Sequence, residues 1–317
     1  VPRVDVLGEC PIVRSFRVDQ VAGMFDLELA EKARVEFSAE LPAADEDWRI
    51  GAIVGPSGSG KSSIARAAFG RQLYRPGRWP RQKAVIDGFG EGLSVKQIVP
   101  MLTAVGFSSP PAWVKPYHVL SNGEQFRCDL ARALLGGGKL VAFDEFTSVV
   151  DRTVAKIGSA AVAKAIRKGR VESRFVAVTC HYDVLEWLQP DWTLDLTSGR
   201  LARGCLRRPP IELTIAPVHR SAWSLFRRHH YLSGSISGTA YAFAAFWGDR
   251  PVGFAAWVNQ AVSTSRQGRR RLHRIVVLPD FQGVGIGGRT CERPSRIFGS
   301  ASGSGGPIPT RSAKRPG

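Results

Sequence analysis

The chain has 317 residues, of which 44% are hydrophobic and 22% charged. That length exceeds the roughly 100–200 residues of a single domain and predicts two globular units. No apolar run approaches the ~20 residues that cross a bilayer, which excludes a membrane span. The start, VPRVDVLGEC, lacks a basic flank ahead of an apolar stretch, so no secretory signal is expected.

The net charge of +17 is divided unequally: 26 basic against 23 acidic residues over 1–200, but 18 against 4 over 201–317. The second part therefore predicts an anionic partner, with nucleic acid or a phosphorylated cofactor as candidates, beside the plainer reading of a solvated basic face. Five cysteines form no CxxC pair, which argues against a zinc ribbon or a disulfide scaffold and points to a reducing, cytoplasmic location.

In chain order, a strand over Gly51 to Val54 runs into Gly55, Pro56, Ser57, Gly58, Ser59, Gly60, Lys61 and Ser62, then into a helix over Ser62 to Phe69. This octet fits GxxxxGK[ST] in its strand-to-helix setting. Glycines let backbone N–H groups wrap phosphates, Lys61 reaches the terminal phosphates, and the Ser62 hydroxyl suits Mg²⁺. Ser63 completes the predicted ATP-binding set. A strand is predicted over Ala84 to Ile86 and a helix over Glu124 to Leu135. The strand Leu140 to Phe143 delivers Asp144 and Glu145 at its carboxyl end, where ligands of open α/β sheets sit. Asp144 then serves as a second metal residue beside Ser62, and Glu145 as the base that polarises water. A helix over Thr153 to Arg167 and a strand over Phe175 to Thr179 follow. The alternation predicts an α/β domain with a mainly parallel sheet.

The segment TSGRLARGCLRRPP reads as a linker, with the boundary near residue 205. Beyond it come a helix over Arg220 to Tyr231, a β-hairpin of Ala240 to Trp247 and Val252 to Val258, and a strand over Leu272 to Leu278. A glycine-rich loop follows: Gln282, Gly283, Val284, Gly285, Ile286 and Gly287. From Gly299 onward the composition is poor in apolar residues and rich in Gly, Ser and Pro, which predicts disorder.

Leu120, Ser121, Asn122, Gly123, Glu124 and Gln125 form a variant of the LSGGQ signature. With the phosphate loop, the Asp144–Glu145 pair, the Ser148-Val149-Val150-Asp151 quartet and His181 after a strand, the order of motifs resembles the ATP-binding cassette (ABC) ATPase family. The resemblance implies ATP and Mg²⁺ as cofactors, His181 as a switch residue with Glu145 catalytic, and Phe25 stacking on adenine. It also implies an ATP-dependent head-to-tail homodimer in which Ser121, Asn122, Gly123 and Glu124 act in trans. The family carries a glutamine soon after the strand that here is Ala84 to Ile86. This chain has Asp87-Gly88-Phe89-Gly90 there, with Gln97 later, so a membrane transporter partner is not expected.

In the second part, Gln282 to Gly287 fits Q/RxxGxG/A after a strand, hairpin and helix in the same order, and so resembles the acyl-CoA loop of the GNAT family of N-acetyltransferases. This implies an acetyl-CoA site of Ile275, Val276 and Val277 with Gln282 to Gly287. Arg289 to Arg296 then loses the family's helical pattern, so the domain is expected to be incomplete.

The resulting expectation is an α/β P-loop NTPase domain of ABC ATPase type (10–204), a partial α+β GNAT-like domain (205–298) and a disordered tail (299–317). Its function would be ATP hydrolysis coupled to acyl transfer. The alternatives are an ATP-binding subunit that energises a separate membrane transporter, and a nucleic-acid-binding ATPase.

Overall fold

The computed structural model describes residues 2–29, 32–43, 45–77, 79–136, 138–232, 234–259 and 270–299. Residues 300–317 of the tail predicted to be disordered lie outside them. Along the chain the elements are β1 (Arg3–Pro11), α1 (Phe16–Phe25), β2 (Lys32–Glu40), β3 (Ile50–Val54), α2 (Lys61–Phe69), β4 (Leu73–Tyr74), α3 (Val95–Ala104) and α4 (Pro110–Trp113). Next come α5 (Asn122–Gly136), β5 (Leu140–Phe143), α6 (Arg152–Arg167), β6 (Arg174–Thr179), α7 (Leu185–Leu188), β7 (Trp192–Asp195) and β8 (Arg200–Arg203). The remainder is β9 (Thr214–Val218), α8 (Trp223–Phe226), β10 (Tyr241–Trp247), β11 (Arg250–Asn259), β12 (Arg270–Val277) and α9 (Ile286–Gly299).

A six-stranded sheet in the order β4-β5-β6-β3-β7-β8 carries the first unit, parallel except for β8. All five residues of β3 are buried, as a central parallel strand requires. Asp191 fixes where β3 starts: its carboxylate accepts from the amides of Arg49 at 2.8 Å and Ile50 at 2.9 Å. β1 and β2 pair antiparallel as a separate ribbon, so ordered strand begins at Arg3, ahead of the expected domain start at residue 10.

The strand predicted over Ala84 to Ile86 is instead a 3₁₀ turn at Val85–Gly88. Ala84 makes only an isolated bridge to Pro116, and a proline cannot extend a ladder.

In the second unit, β12-β11-β10-β9 form an antiparallel sheet. The predicted helix over Arg220 to Tyr231 breaks into one α-turn, α8, flanked by 3₁₀ turns, because only Trp223 and Phe226 are buried to anchor it. Where helical order was expected to fail after Gly288, α9 continues to Gly299 across Pro294. Thr290, fully buried, keeps its hydroxyl bonded to the Ile286 carbonyl at 2.8 Å, and Gly253 of β11 lies close against it.

The two units share a face. α6 is capped by Asp151, which accepts from Thr153 and Val154 amides, and eleven of its residues are buried. Ile157 and Ala160 pack with Trp187 of the first unit and with Ile211, Val252, Phe281 and Val284 beyond it. Among the described residues no helix is long and apolar enough to cross a membrane.

Candidate active site

The phosphate loop joins β3 to α2, with Gly58 and Gly60 in left-handed conformations that side chains other than glycine rarely adopt. The Lys61 ammonium folds back to donate to the Pro56 carbonyl at 2.6 Å. Ser59 Oγ is buried without a hydrogen-bond partner, an unmet polar atom inside the cradle. Gly60 lies under the ring of Phe37 on β2, so the ribbon covers one side of the loop.

Ser62 Oγ donates to Asp144 Oδ1 at 2.9 Å, across 82 residues of sequence. Asp144 is buried, with its amide tied to the Tyr74 carbonyl of β4 at 2.8 Å, and Arg75 Nε stands 3.8 Å from its other oxygen. A hydroxyl beside a carboxylate is a hard oxygen-donor pair, and with Ser59 unmet nearby it fits Mg²⁺ on a nucleotide. Such an ion, when bound, neutralises phosphate charge; Ser62 and Asp144 would hold it.

Glu145 follows in a left-handed conformation at φ 53°, and Thr147 at φ 69°. Each costs roughly 1 kcal/mol or more for a residue with a Cβ, and strain of this kind collects at functional turns. The turn is pinned by Phe146 N donating to the Val178 carbonyl at 2.8 Å. Ser148 Oγ donates to Glu145 Oε2 at 2.6 Å and orients the exposed carboxylate. Thr147 Oγ1 lies 3.1 Å from His181 Nδ1, and the His181 amide donates to Thr179 Oγ1. Burial, then the nearby Arg152 guanidinium, pushes the His181 imidazole below its ordinary value, which favours its neutral form.

The structure thus brings Lys61, Ser62, Asp144, Glu145 and His181 to the carboxyl ends of β3, β5 and β6. It does not bring Phe25 to them in any described contact: that ring is 69% exposed at the end of α1. Ser121 precedes α5, and its amide and hydroxyl both bond Glu124 Oε2 at 2.9 Å, so Glu124 closes the helix start. Gln97, the later glutamine, is likewise used by its own helix, accepting from Ser94 at the start of α3.

Several supports were not read from sequence. Asp129, buried on α5, accepts from Tyr74 at 2.8 Å, Trp79 at 2.8 Å and Tyr117 at 2.6 Å, and this fixes the helix that carries the signature. Burial and the Asp129 carboxylate drive both tyrosine hydroxyls far above their usual range, which keeps them donors. An aspartate in a helix otherwise buried around it was the available signal.

In the second unit, Ile275, Val276, Val277, Gln282, Gly283, Gly285, Ile286 and Gly287 all border one cleft of about 350 Å³. Ile275 and Val277 lie within 3.5 Å of where a Gly287 side chain would stand, whereas Val276 packs into the core with Trp223 and Phe254. Val284 faces away from this cleft: it is buried against Ile157, Ala160 and Trp187, so its side chain belongs to the contact between units. Gln282 spans that contact as well. Its Oε1 accepts from the Ser108 amide at 2.9 Å and its Nε2 donates to the Val277 carbonyl at 3.0 Å.

A strand-ending phosphate loop facing a metal-suited serine and aspartate makes the first unit a candidate site for a nucleotide's phosphates and their metal. Comparison with known proteins narrows it. The zinc import ATP-binding protein ZnuC of Paracoccus denitrificans is 28% identical over 189 residues, covering 53% of this chain and 71% of that protein. Its namesake in Cereibacter sphaeroides is 31% identical over 159 residues, covering 44% of this chain and 63% of that one. A solved structure, cbiO1 from Clostridium perfringens, part of an ABC transporter complex, aligns over 50% of this chain and 76% of its own at 17% identity with a TM-score of 0.41. No protein-family model matches the chain.

Over about half of the chain, the first unit is similar to these ATP-binding proteins, and that similarity implies ATP hydrolysis with Mg²⁺. One expectation is overturned. A membrane transporter partner was not expected, yet the relatives are import ATP-binding proteins. The residues around Asp87 that prompted that expectation form a 3₁₀ turn of the first unit and carry no such exclusion.

Proposed function

We propose that this chain is the ATP-hydrolysing subunit of an importer, drawing on ATP at Gly55 to Ser63 to power a separate membrane component. The observation that carries it is the Ser62–Asp144 pair beside Lys61 and Glu145, in a chain similar to zinc import ATP-binding proteins. Lys61 binds the terminal phosphates, Ser62 and Asp144 hold the metal, and Glu145, oriented by Ser148, accepts the proton of the attacking water. His181, positioned by Thr147, stabilises the departing phosphate by hydrogen bonding. Ser121, Asn122 and Gly123, at the exposed start of α5, are available to a nucleotide held by another ATP-binding unit. The test is ATP turnover of membranes and of detergent-extracted complexes that carry the chain. If a membrane protein co-purifies and raises turnover, and zinc uptake falls when Glu145 is replaced by Gln, the reading holds; turnover indifferent to every membrane fraction sinks it.

A second reading concerns the other unit. The cleft that gathers Ile275, Val277, Gly285 and Gly287 favours an acyl-CoA-binding, GNAT-like domain. It predicts that coenzyme A binds the full chain, and acetyl transfer to an amine substrate is the activity to assay.

A further inference from the structure

Where the start of α6 and the short helix α7 meet the β10–β11 turn of the second unit, a cleft of about 340 Å³ is left between the units. The first unit lines it with Arg152, Lys156 and Trp187, and the second with Trp247, Arg250 and Phe281. None of Gln282 to Gly287 borders it, so Phe281 divides it from the cleft at the glycine-rich loop.

One side carries unmatched positive charge. Arg152 and Lys156 share a single carboxylate: Asp183 accepts from Arg152 Nε at 3.2 Å and from Arg152 Nη2, and stands 3.4 Å from Lys156 Nζ. The remaining guanidinium nitrogen, Arg152 Nη1, is buried without a hydrogen-bond partner. Leaving a charged donor unmet away from water is costly. Arg250 forms no ion pair among the described residues, and its guanidinium lies 5.0 Å from the centre of the Phe281 ring.

The other side is aromatic. Trp187 and Trp247 meet across the units with ring centres 5.8 Å apart, and Trp247 meets Phe281 at 5.9 Å. Trp187 and Phe281 are buried, which fixes the floor in place. Cations and rings that meet between domains are ordinarily explained as packing closed by cation–π contacts. Arg250 on Phe281 fits that account, but the unmet Arg152 Nη1 and the open cleft beside it do not.

We propose that this cleft binds a small aromatic anion, its ring lying on Trp247 and its carboxylate or phosphate met by Arg152 and Arg250. The volume is at the small end of ligand sites. A guanidinium presents a fork that matches either anion, and the tilted rings offer faces for stacking. Two sources of that chemistry are a nucleoside monophosphate and a simple aromatic carboxylate. Each unit supplies one arginine and one tryptophan, so the site exists only where the two are packed together. It rests on neither reading of what the units do.

The experiment is calorimetric titration of the full chain with AMP and with benzoate, in a Lys61→Ala background so that the phosphate loop does not hold the nucleotide. At least one probe should bind. Arg250→Gln, at an exposed position of the hairpin, should weaken it about tenfold or more, the loss expected for one charge-assisted contact. The neutral counterpart, adenosine or benzamide, should lose at least as much. Trp247→Phe should retain binding and Trp247→Leu weaken it, with melting temperatures separating loss of the site from loss of the fold. Binding of AMP alone identifies the nucleotide source and binding of benzoate alone the carboxylate, and either supports the inference. Failure of both probes overturns it, as does binding that is unchanged in Arg250→Gln or equalled by the neutral counterpart.

Discussion

The chain contains two glycine-rich loops built alike, each leaving an apolar strand and entering a helix, with glycines at positive φ: Gly58 and Gly60 in one, Gly283 and Gly285 in the other. Their surroundings differ. A side chain at Gly58 would meet nothing within 4 Å, whereas one at Gly283 would stand 2.8 Å from Ala161 Cβ and 2.9 Å from Gly106 Cα. A glycine-rich loop therefore reports close approach without saying of what. At Gly58 the space is open, and at Gly283 it is filled by the neighbouring unit. The carbonyl at 283 is also held by Lys164, so the second loop is both an interface and a wall of the cleft.

The largest expected effect belongs to the first loop's chemistry. Glu145→Gln should keep nucleotide binding and lower ATP turnover by about 10²–10⁴, the range for removing a general base. Lys61→Ala should instead lose binding. Phosphate release and nucleotide titration separate the two, and an active Glu145→Gln protein would remove Glu145 from the reaction. Next in size is a direct comparison of the loops. Gly283→Ala should destabilise the chain by about 2–5 kcal/mol, from the left-handed backbone cost it shares with Gly58 plus overpacking on Ala161 and Gly106. Gly58→Ala should cost only about 1–2 kcal/mol, from its backbone conformation alone, while impairing ATP binding. Urea denaturation measures the first difference, and equal losses at both sites would erase the contrast.

These differences explain what was legible in the sequence. Gly55 to Ser62, Asp144, Glu145 and the strands carrying them were readable because strand period, turn chemistry and motif spacing all fall within a few residues. Phe37 over Gly60, Tyr74 behind Asp144 and the three donors on Asp129 were not, since each joins residues distant in sequence with no shared pattern. Val284 shows the limit from the other side: its place in a recognisable loop suggested a ligand, but its apolar side chain answered to Trp187 and Ile157. The transporter expectation failed for a related reason, having been drawn from one missing glutamine in a segment whose local fold, a 3₁₀ turn, the apolar run of Ala84 to Ile86 concealed.

The smallest expected effect uses acid to distinguish the supports of the two loops. β3, which carries the phosphate loop, is anchored at its start by Asp191, bound by Arg49 and Ile50 amides and by Arg167. Burial raises the Asp191 carboxyl, but the Arg167 hydrogen bond and the two amides outweigh it and hold the group below the ordinary carboxylate range. A carboxyl lowered in the folded state binds fewer protons there than in the unfolded chain. Its stabilisation is therefore complete above the unfolded value of about 4 and is lost as pH falls through the lower folded value. Lys164 holds the second loop through a carbonyl, which does not titrate in that range. Lowering the pH from 5 toward 3 should thus loosen the phosphate loop before the contact between units, and Asp191→Asn should flatten this acid limb. Amide exchange at Ile50 and Gly283, followed across that interval, checks the order of opening; Gly283 opening first would show that the shared face, and not β3, is the acid-sensitive part.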